Sequence, residues 1–186
     1  MFVVSYTGPF AFIKPWTAVR DSLTFSQQFL TPSIITGIEK KLFPELLLEN
    51  NYSSKIIRHK LSYSNSSVQM EQTQIRGMTM KKKQKTAART RSIIERGVLV
   101  RPILYLAFNQ QTDAERAHNQ HICLCRNEDV LLPFSEILEM GHDEFNKLDG
   151  FELHFEQTKE SFMVGYDRFN NGKPMFGRLE ITHNPK

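Results

Sequence analysis

The chain has 186 residues, is 40% apolar, contains 14 Phe and carries a net charge of +4. That is enough apolar material for one packed domain, which excludes a disordered chain, and no apolar run approaches the ~20 residues that a bilayer-spanning helix needs. The charge is unevenly placed: between Arg76 and Arg101 stand nine Lys or Arg against one acid, Glu95, so this stretch is +8 and the remainder sums to −4. Like charges at this density need a counter-surface, and a polyanion such as a nucleic-acid backbone is the simplest. A solvated basic loop without a ligand is the alternative.

From the N-terminus, Phe2 to Thr7 alternates and is rich in β-formers, so it reads as a first strand and not as a signal peptide. Gly8-Pro9 interrupts it, and Phe10 to Ile13 resumes. Thr31-Pro32-Ser33 predicts a helix start, with Thr31 or Ser33 accepting from free amides and Pro32 suited to the first turn. Ile34, Ile35, Ile38 and Leu42 recur at helical spacing, and Pro44 kinks or stops the helix. Lys55 to Tyr63 reads as a strand bounded by the polar residues 64–67. Val68 to Thr90 lacks apolar periodicity and reads as a long hairpin or arm carrying the charge. Val98 to Phe108 is the most apolar run and predicts a central strand that Pro102 forces into a bulge or an edge. Residues 109–120 read as polar loop, His121 to Cys125 as a short strand, and Ser135 to Lys147 as a helix weakened by Gly141. Phe151 to Phe155 and Phe162 to Tyr166 follow as strands, and Asn170-Asn171-Gly172 marks a tight turn into Met175-Phe176 and Arg178 to Thr182. The order predicts an α+β fold of ferredoxin-like kind, an antiparallel sheet with helices on one face.

RNA recognition combines cations for phosphates with aromatics for bases. The first forty residues offer Tyr6, Phe12, Lys14, Trp16, Arg20 and Phe25, of which Lys14, Trp16 and Arg20 are the candidates for contact. Trp16 either stands exposed beside Lys14 or packs under its loop as core. The basic segment adds Arg76, Lys81, Lys82, Lys83, Lys85, Arg89 and Arg91. His118, His121, Cys123 and Cys125 fall within eight residues, but so short a segment rarely wraps a tetrahedral metal. Buried thiols beside surface histidines are the expected arrangement, with no metal and no cofactor. Cys123 and Cys125 stand too close in sequence for a structural disulfide, which fits a reducing, cytoplasmic setting. Hydrolase, zincin and nucleotide-loop motifs are missing. If the chain is an enzyme, His121 or His118 would act in metal-independent RNA cleavage.

Within Val4 to Glu45, Gly8, Pro15, Thr31-Pro32-Ser33 and Gly37-Ile38 follow a set order: strand, Gly, apolar strand ending in Pro, variable loop, helix start. This block resembles the N-terminal block of the Cas-five family of CRISPR effector subunits. The strand at 55–63, the stretch Arg89 to Phe108 and the His121 segment follow in similar order. The resemblance implies a single RAMP-like (RRM-like) domain over 1–186 with residues 64–97 as a basic thumb. It also implies a subunit that holds the 5′ handle of the guide RNA (crRNA) at one end of a Cascade-like surveillance complex. Such a subunit touches the backbone and large subunits and meets target DNA only indirectly. One branch of the family, in type I-C systems, trims the guide precursor with a Tyr near the end of the first helix and a later Lys-His pair. Those positions are Phe43 and Gln120-His121 here, so two of the three groups are missing. The favoured reading is a non-catalytic handle binder, with a metal-independent endoribonuclease and a basic subunit that contacts only protein as alternatives.

Overall fold

The computed structural model describes residues 1–17, 22–47, 54–74, 77–81, 86–89 and 91–182. In chain order the strands are β1 (Phe2–Thr7), β2 (Phe10–Ala11), β3 (Leu23–Phe25), β4 (Ile56–Ser62) and β5 (Asn65–Gln74), then β6 (Thr79–Lys81), β7 (Thr86–Ala88), β8 (Arg91–Val100), β9 (Ile103–Phe108) and β10 (Ile122–Cys123). They continue as β11 (Val130–Pro133), β12 (Leu138–Glu139), β13 (Gly150–His154), β14 (Phe162–Asp167) and β15 (Lys173–Thr182). The helices are α1 (Pro32–Leu42), α2 (Gln111–His118) and α3 (His142–Asn146), with a 3-10 turn at Pro44–Leu47.

The fold is α+β. Strands β11-β1-β9-β4 lie side by side, every neighbour antiparallel. Helix α1 connects β1 to β4 and α2 connects β9 to β11, which is the ferredoxin-like arrangement. Strands β13, β15 and β14 continue the sheet beyond β4, β10 pairs with β11, and β12 adds to β1. Ile35, Ile38 and Leu42 put one apolar stripe of α1 on the sheet, where they meet Tyr6, Leu104, Leu106 and Phe108. Helix α2 enters the same core with only Ala114 and Ala117. Phe145 of α3 packs on the opposite face, against Val3 and Ala107, so the helices do not all share one side.

Several sequence expectations change. Residues 111–118 are helix and not loop: a helix that buries two alanines leaves no hydropathy stripe to read. The helix expected over Ser135 to Lys147 shrinks to α3, because Gly141 is its N-cap and Leu138 belongs to a strand. The 98–108 run is two strands, broken where Arg101 takes φ 48 before Pro102. Asn65 to Ser67, expected to bound a strand, begin the long strand β5. At the start of α1 Thr31 makes no side-chain cap, and Ser33 instead donates to Asp167 Oδ1 at 3.0 Å.

Buried polar groups tie these layers. Glu39 Oε1, on α1, accepts from the backbone N–H of Lys55 (2.7 Å) and Ile56 (2.6 Å), fixing where β4 begins. Lys60 on β4 is fully buried, and its ammonium donates to the carbonyls of Phe145, Asn146 and Leu148, closing the C-terminal end of α3.

His59, on the α1 side of β4, stacks on Phe155 with centroids 5.0 Å apart, and its Nε2 has no partner among the described atoms. Burial, with His154 and Arg58 nearby and a hydrogen bond to the Leu30 backbone opposing them, pushes its pKa down to about 3 from 6.5. Between those two values the unfolded chain binds a proton at this site that the folded chain does not. The contribution is complete above the unfolded value and is lost as pH falls through the window. Stability measured by urea denaturation should therefore decline on acidification below about pH 6.5, by up to about 1.4 kcal/mol per pH unit. His59→Phe should flatten that slope; an unchanged slope would show that His59 is not its source.

Candidate nucleic-acid interface

A groove runs along the exposed side of α1. Its far wall is the hairpin β14–β15, and its ends are the 14–16 loop and the 121–127 loop. Two adjoining cavities of about 290 and 400 Å³ form it and share Ser33, Ile34, Cys125 and Arg168.

Trp16 and Tyr166 stand at one end with centroids 5.9 Å apart and planes at 90°. They are 47% and 59% exposed, so each presents ring surface to solvent, and Lys14 beside them is exposed too. Gly165 makes this approach possible. It lies at φ +125 where β14 shifts register, and a Cβ there would meet the Cβ and ring of Trp16 at 3.3 Å. Farther along, Lys40 Nζ sits 4.2 Å from the Phe169 ring centroid, with the Arg168 guanidinium 5.6 Å from the same ring. The Ser33–Asp167 bond, with Asp167 also accepting from Phe169 N–H at 2.9 Å, holds this hairpin to α1. At the other end the Lys41 ammonium donates to the carbonyl of His121, and burial lowers its pKa. Aromatic faces, cations and an open channel are the components that take up a single strand: bases stack, phosphates meet ammonium and guanidinium groups.

The second cationic region is the arm. Strands β5 and β8 form its ladder, and β6 with β7 forms its outer hairpin. Arg89 and Arg91 are exposed there. Arg96 is drawn back toward the body, 3.7 Å from Glu71 and 5.4 Å from the Phe12 ring. Arg101 stands at the foot of the arm, its N–H donating to Pro9. Arg20, Arg76, Lys82, Lys83 and Lys85 lie outside the described residues, as does the side chain of Lys81.

The groove thus joins Lys14 and Trp16, named from sequence, with Lys40, Lys41, Tyr166, Arg168 and Phe169, which were not. Trp16 is not core. Tyr6 and Phe12 are: Tyr6 is buried with its hydroxyl donating to Ala117 (2.7 Å), and Phe12 is buried under two guanidinium groups. His118 Nε2 lies 2.8 Å from the Ser135 carbonyl, while His121 is exposed at the groove's edge. Cys125 is exposed and Cys123 half-buried, so the expected buried thiols are at the surface instead. Ile122 and Leu124 take the buried side of this segment, which leaves Cys123 and Cys125 on the side of His121, and Cys125 takes φ 67. Among the described residues no cluster of His, Cys, Asp and Glu is placed to hold a metal ion, and no helix is long and apolar enough to cross a membrane.

No family model matches the chain, and no curated protein matches it. Among solved structures it is similar to a chain described as "CRISPR RNA-guided surveillance complex". The TM-score is 0.52 at 10% identity, with 97% of this chain and 89% of that chain covered.

Because Trp16 is the chain's one tryptophan, its fluorescence reports on the groove directly. Gly165→Ala should displace the indole and shift its emission, with a loss of about 1–3 kcal/mol in stability from the strained φ. An unshifted spectrum would mean that Trp16 does not rest on β14.

Proposed function

We propose that this chain is an RNA-binding subunit of a CRISPR RNA-guided surveillance complex that holds the 5′ handle of the guide RNA. The observation that carries the reading is the groove beside α1, where Lys14, Trp16, Lys41, Tyr166 and Arg168 line one channel. Two further features support it: the fold extends over nearly the whole of a chain from such a complex, and the Gly8 to Ile38 block has the Cas-five order. In this reading a few bases of the handle leave their stack and lie against Trp16 and Tyr166, while the arm, with Arg89, Arg91 and the Lys81–Lys85 run, follows the phosphates. The remaining subunits of the particle are its protein partners, and target DNA reaches it only through the guide.

Binding to a short single-stranded RNA with a crRNA-type 5′ end should weaken with salt. About five phosphate contacts predict a slope of log K against log salt near −3.5. Trp16→Ala should cost about 1–3 kcal/mol of affinity and leave that slope unchanged. Reversing Lys81, Lys82, Lys83 and Lys85 should flatten it. A slope near zero in the unmodified protein would remove the proposal.

One observation favours a second reading. The Lys41 ammonium, at the C-terminal end of α1, donates to the backbone carbonyl of His121, and Gln120 Nε2 donates to the Leu42 carbonyl beside Phe43. A lysine thus stands next to the histidine although the sequence-adjacent lysine is missing. A metal-independent endoribonuclease would use His121 as base and Lys41 to stabilise the developing charge. Incubating a labelled repeat transcript with the protein in EDTA separates the readings. A discrete cut lost in both His121→Ala and Lys41→Ala supports cleavage, and an intact transcript leaves the binder.

A further inference from the structure

The arm has two unlike faces. Strand β8 pairs with β5 on one side and with β3 on the other, so side chains of three strands share each face. One face carries Arg96, Glu71, Gln69 and Thr73, with Arg96 and Glu71 paired to each other. The other is apolar: Leu23, Phe25, Val68, Met70 and Ile93 lie on it in register, all exposed, with Met70 74% and Ile93 64% open to solvent. Gly97 sits among them, and the Phe25 ring occupies the place where a Cβ at 97 would stand. The glycine thus lets Phe25 lie flat across β8, which makes the face a smooth platform. Apolar side chains gathered on one side of a protruding sheet, with nothing of this chain over them among the described residues, mark a binding surface.

Charge selects the occupant. Glu95, the one acid of the basic segment, sits in this face, opposite Met70 on β5 and Leu23 on β3. It makes no ion pair among the described residues, whereas Glu71 on the reverse face is matched by Arg96. A carboxylate in the middle of the patch repels phosphate. Four of the five apolar groups are aliphatic and offer bases little to stack on. Arg91 stands farther out on the same face, toward the cationic end of the arm.

We propose that this face docks a neighbouring protein chain through an apolar segment that brings a Lys or Arg to Glu95. The inference rests on the reading of the chain as a subunit of a larger particle and deepens it: the arm is held by protein on one face while its basic residues remain available to RNA.

The test uses the chain affinity-tagged and co-expressed with the full set of effector subunits and guide RNA. A photoreactive benzoylphenylalanine replaces Met70, or Gln69 on the reverse face as control. The expected product is a cross-link from position 70 to a peptide of a different subunit, missing from position 69. Glu95→Lys, at a half-buried position, and the pair Met70→Lys with Ile93→Lys, at exposed ones, should reduce co-purification of that subunit roughly tenfold. Bound RNA and the thermal melt should not change. A cross-link to RNA or to a second copy of this chain overturns the proposal. So does retention of the subunit at its normal level by both variants. If no other subunit co-purifies with the unmodified chain, the surveillance-complex reading itself fails, a result distinct from loss in the variants alone.

Discussion

One backbone ladder runs from the centre of the molecule into its arm, and the rest of the structure is arranged around it. In the sheet β4 pairs with β9, ending at Ser62 opposite Ile103. In the arm β5 pairs with β8, starting at Asn65 opposite Val100 and ending at Gln74 opposite Arg91. From Arg58 opposite Ala107 onward, past a shift at Ile56, each residue advanced on one strand is matched by one on the other, so the register does not slip between core and arm. The bend between them falls at Ser64 and Arg101-Pro102. Ser64 donates both its N–H (3.0 Å) and its hydroxyl (2.9 Å) to Val100, and Arg101 N–H donates to Pro9 at 2.9 Å. Thr7 Oγ1 donates to the Pro102 carbonyl at 2.9 Å, which fastens the corner to the first strand. A two-stranded ribbon is marginal by itself in water. Here it inherits its pairing from two central strands whose side chains are packed under α1, so the direction of the arm is set by the core.

That origin separates two kinds of attraction in space. The arm carries bare cations, whose pull on a polyanion extends over roughly a Debye length, about 8–10 Å in physiological salt. The groove beside α1 works at contact distance. Its cations are held near rings, as Lys40 is 4.2 Å from Phe169, or near backbone, as Lys41 is at the His121 carbonyl. Such groups gain little from diffuse counter-charge and much from a strand seated in the channel. In the proposed reading, long-range capture and short-range seating therefore fall to different parts of the chain.

The sequence made the local parts of this legible and hid the assembled parts. The basic arm, the first helix and the outer strands are written in runs of charge, in the Thr31-Pro32-Ser33 start and in alternation. Lys14 and Trp16 were readable because both follow a strand within a few residues. Tyr166, Arg168 and Phe169 were not: in the chain they look like the end of a strand and a turn, and only the fold over α1 brings them to Trp16. Helix α2 escaped because Ala114 and Ala117 are its whole buried face. The break at Arg101-Pro102 was legible only in part. Pro102 signals a bulge or an edge, but the positive φ that ends the strand falls on Arg101, a residue type that seldom adopts it.

The groove and the platform on the arm share one strap of chain, and its anchor is Ser26. The Ser26 hydroxyl accepts from Ile13 N–H at 2.9 Å, and Gln27 N–H donates to the Ile13 carbonyl at 2.8 Å, which sets where the Lys14–Trp16 loop leaves the core. Ser26 N–H donates at 2.7 Å to the carbonyl of Gly97, the residue over which Phe25 lies. Trp16 therefore stands at one end of this closed segment and Phe25 at the other, with a single serine fixing both to β8. In the proposed reading the chain meets a polyanion and a protein at once and needs those surfaces apart, so that an acid such as Glu95 does not weaken the cationic channel. It also needs them in fixed relation, so that docking on one aligns the other. Pairing β3 in parallel beside the arm, with Ser26 as its knot, meets both requirements with backbone hydrogen bonds and one serine hydroxyl, and these do not depend on which side chains either partner brings.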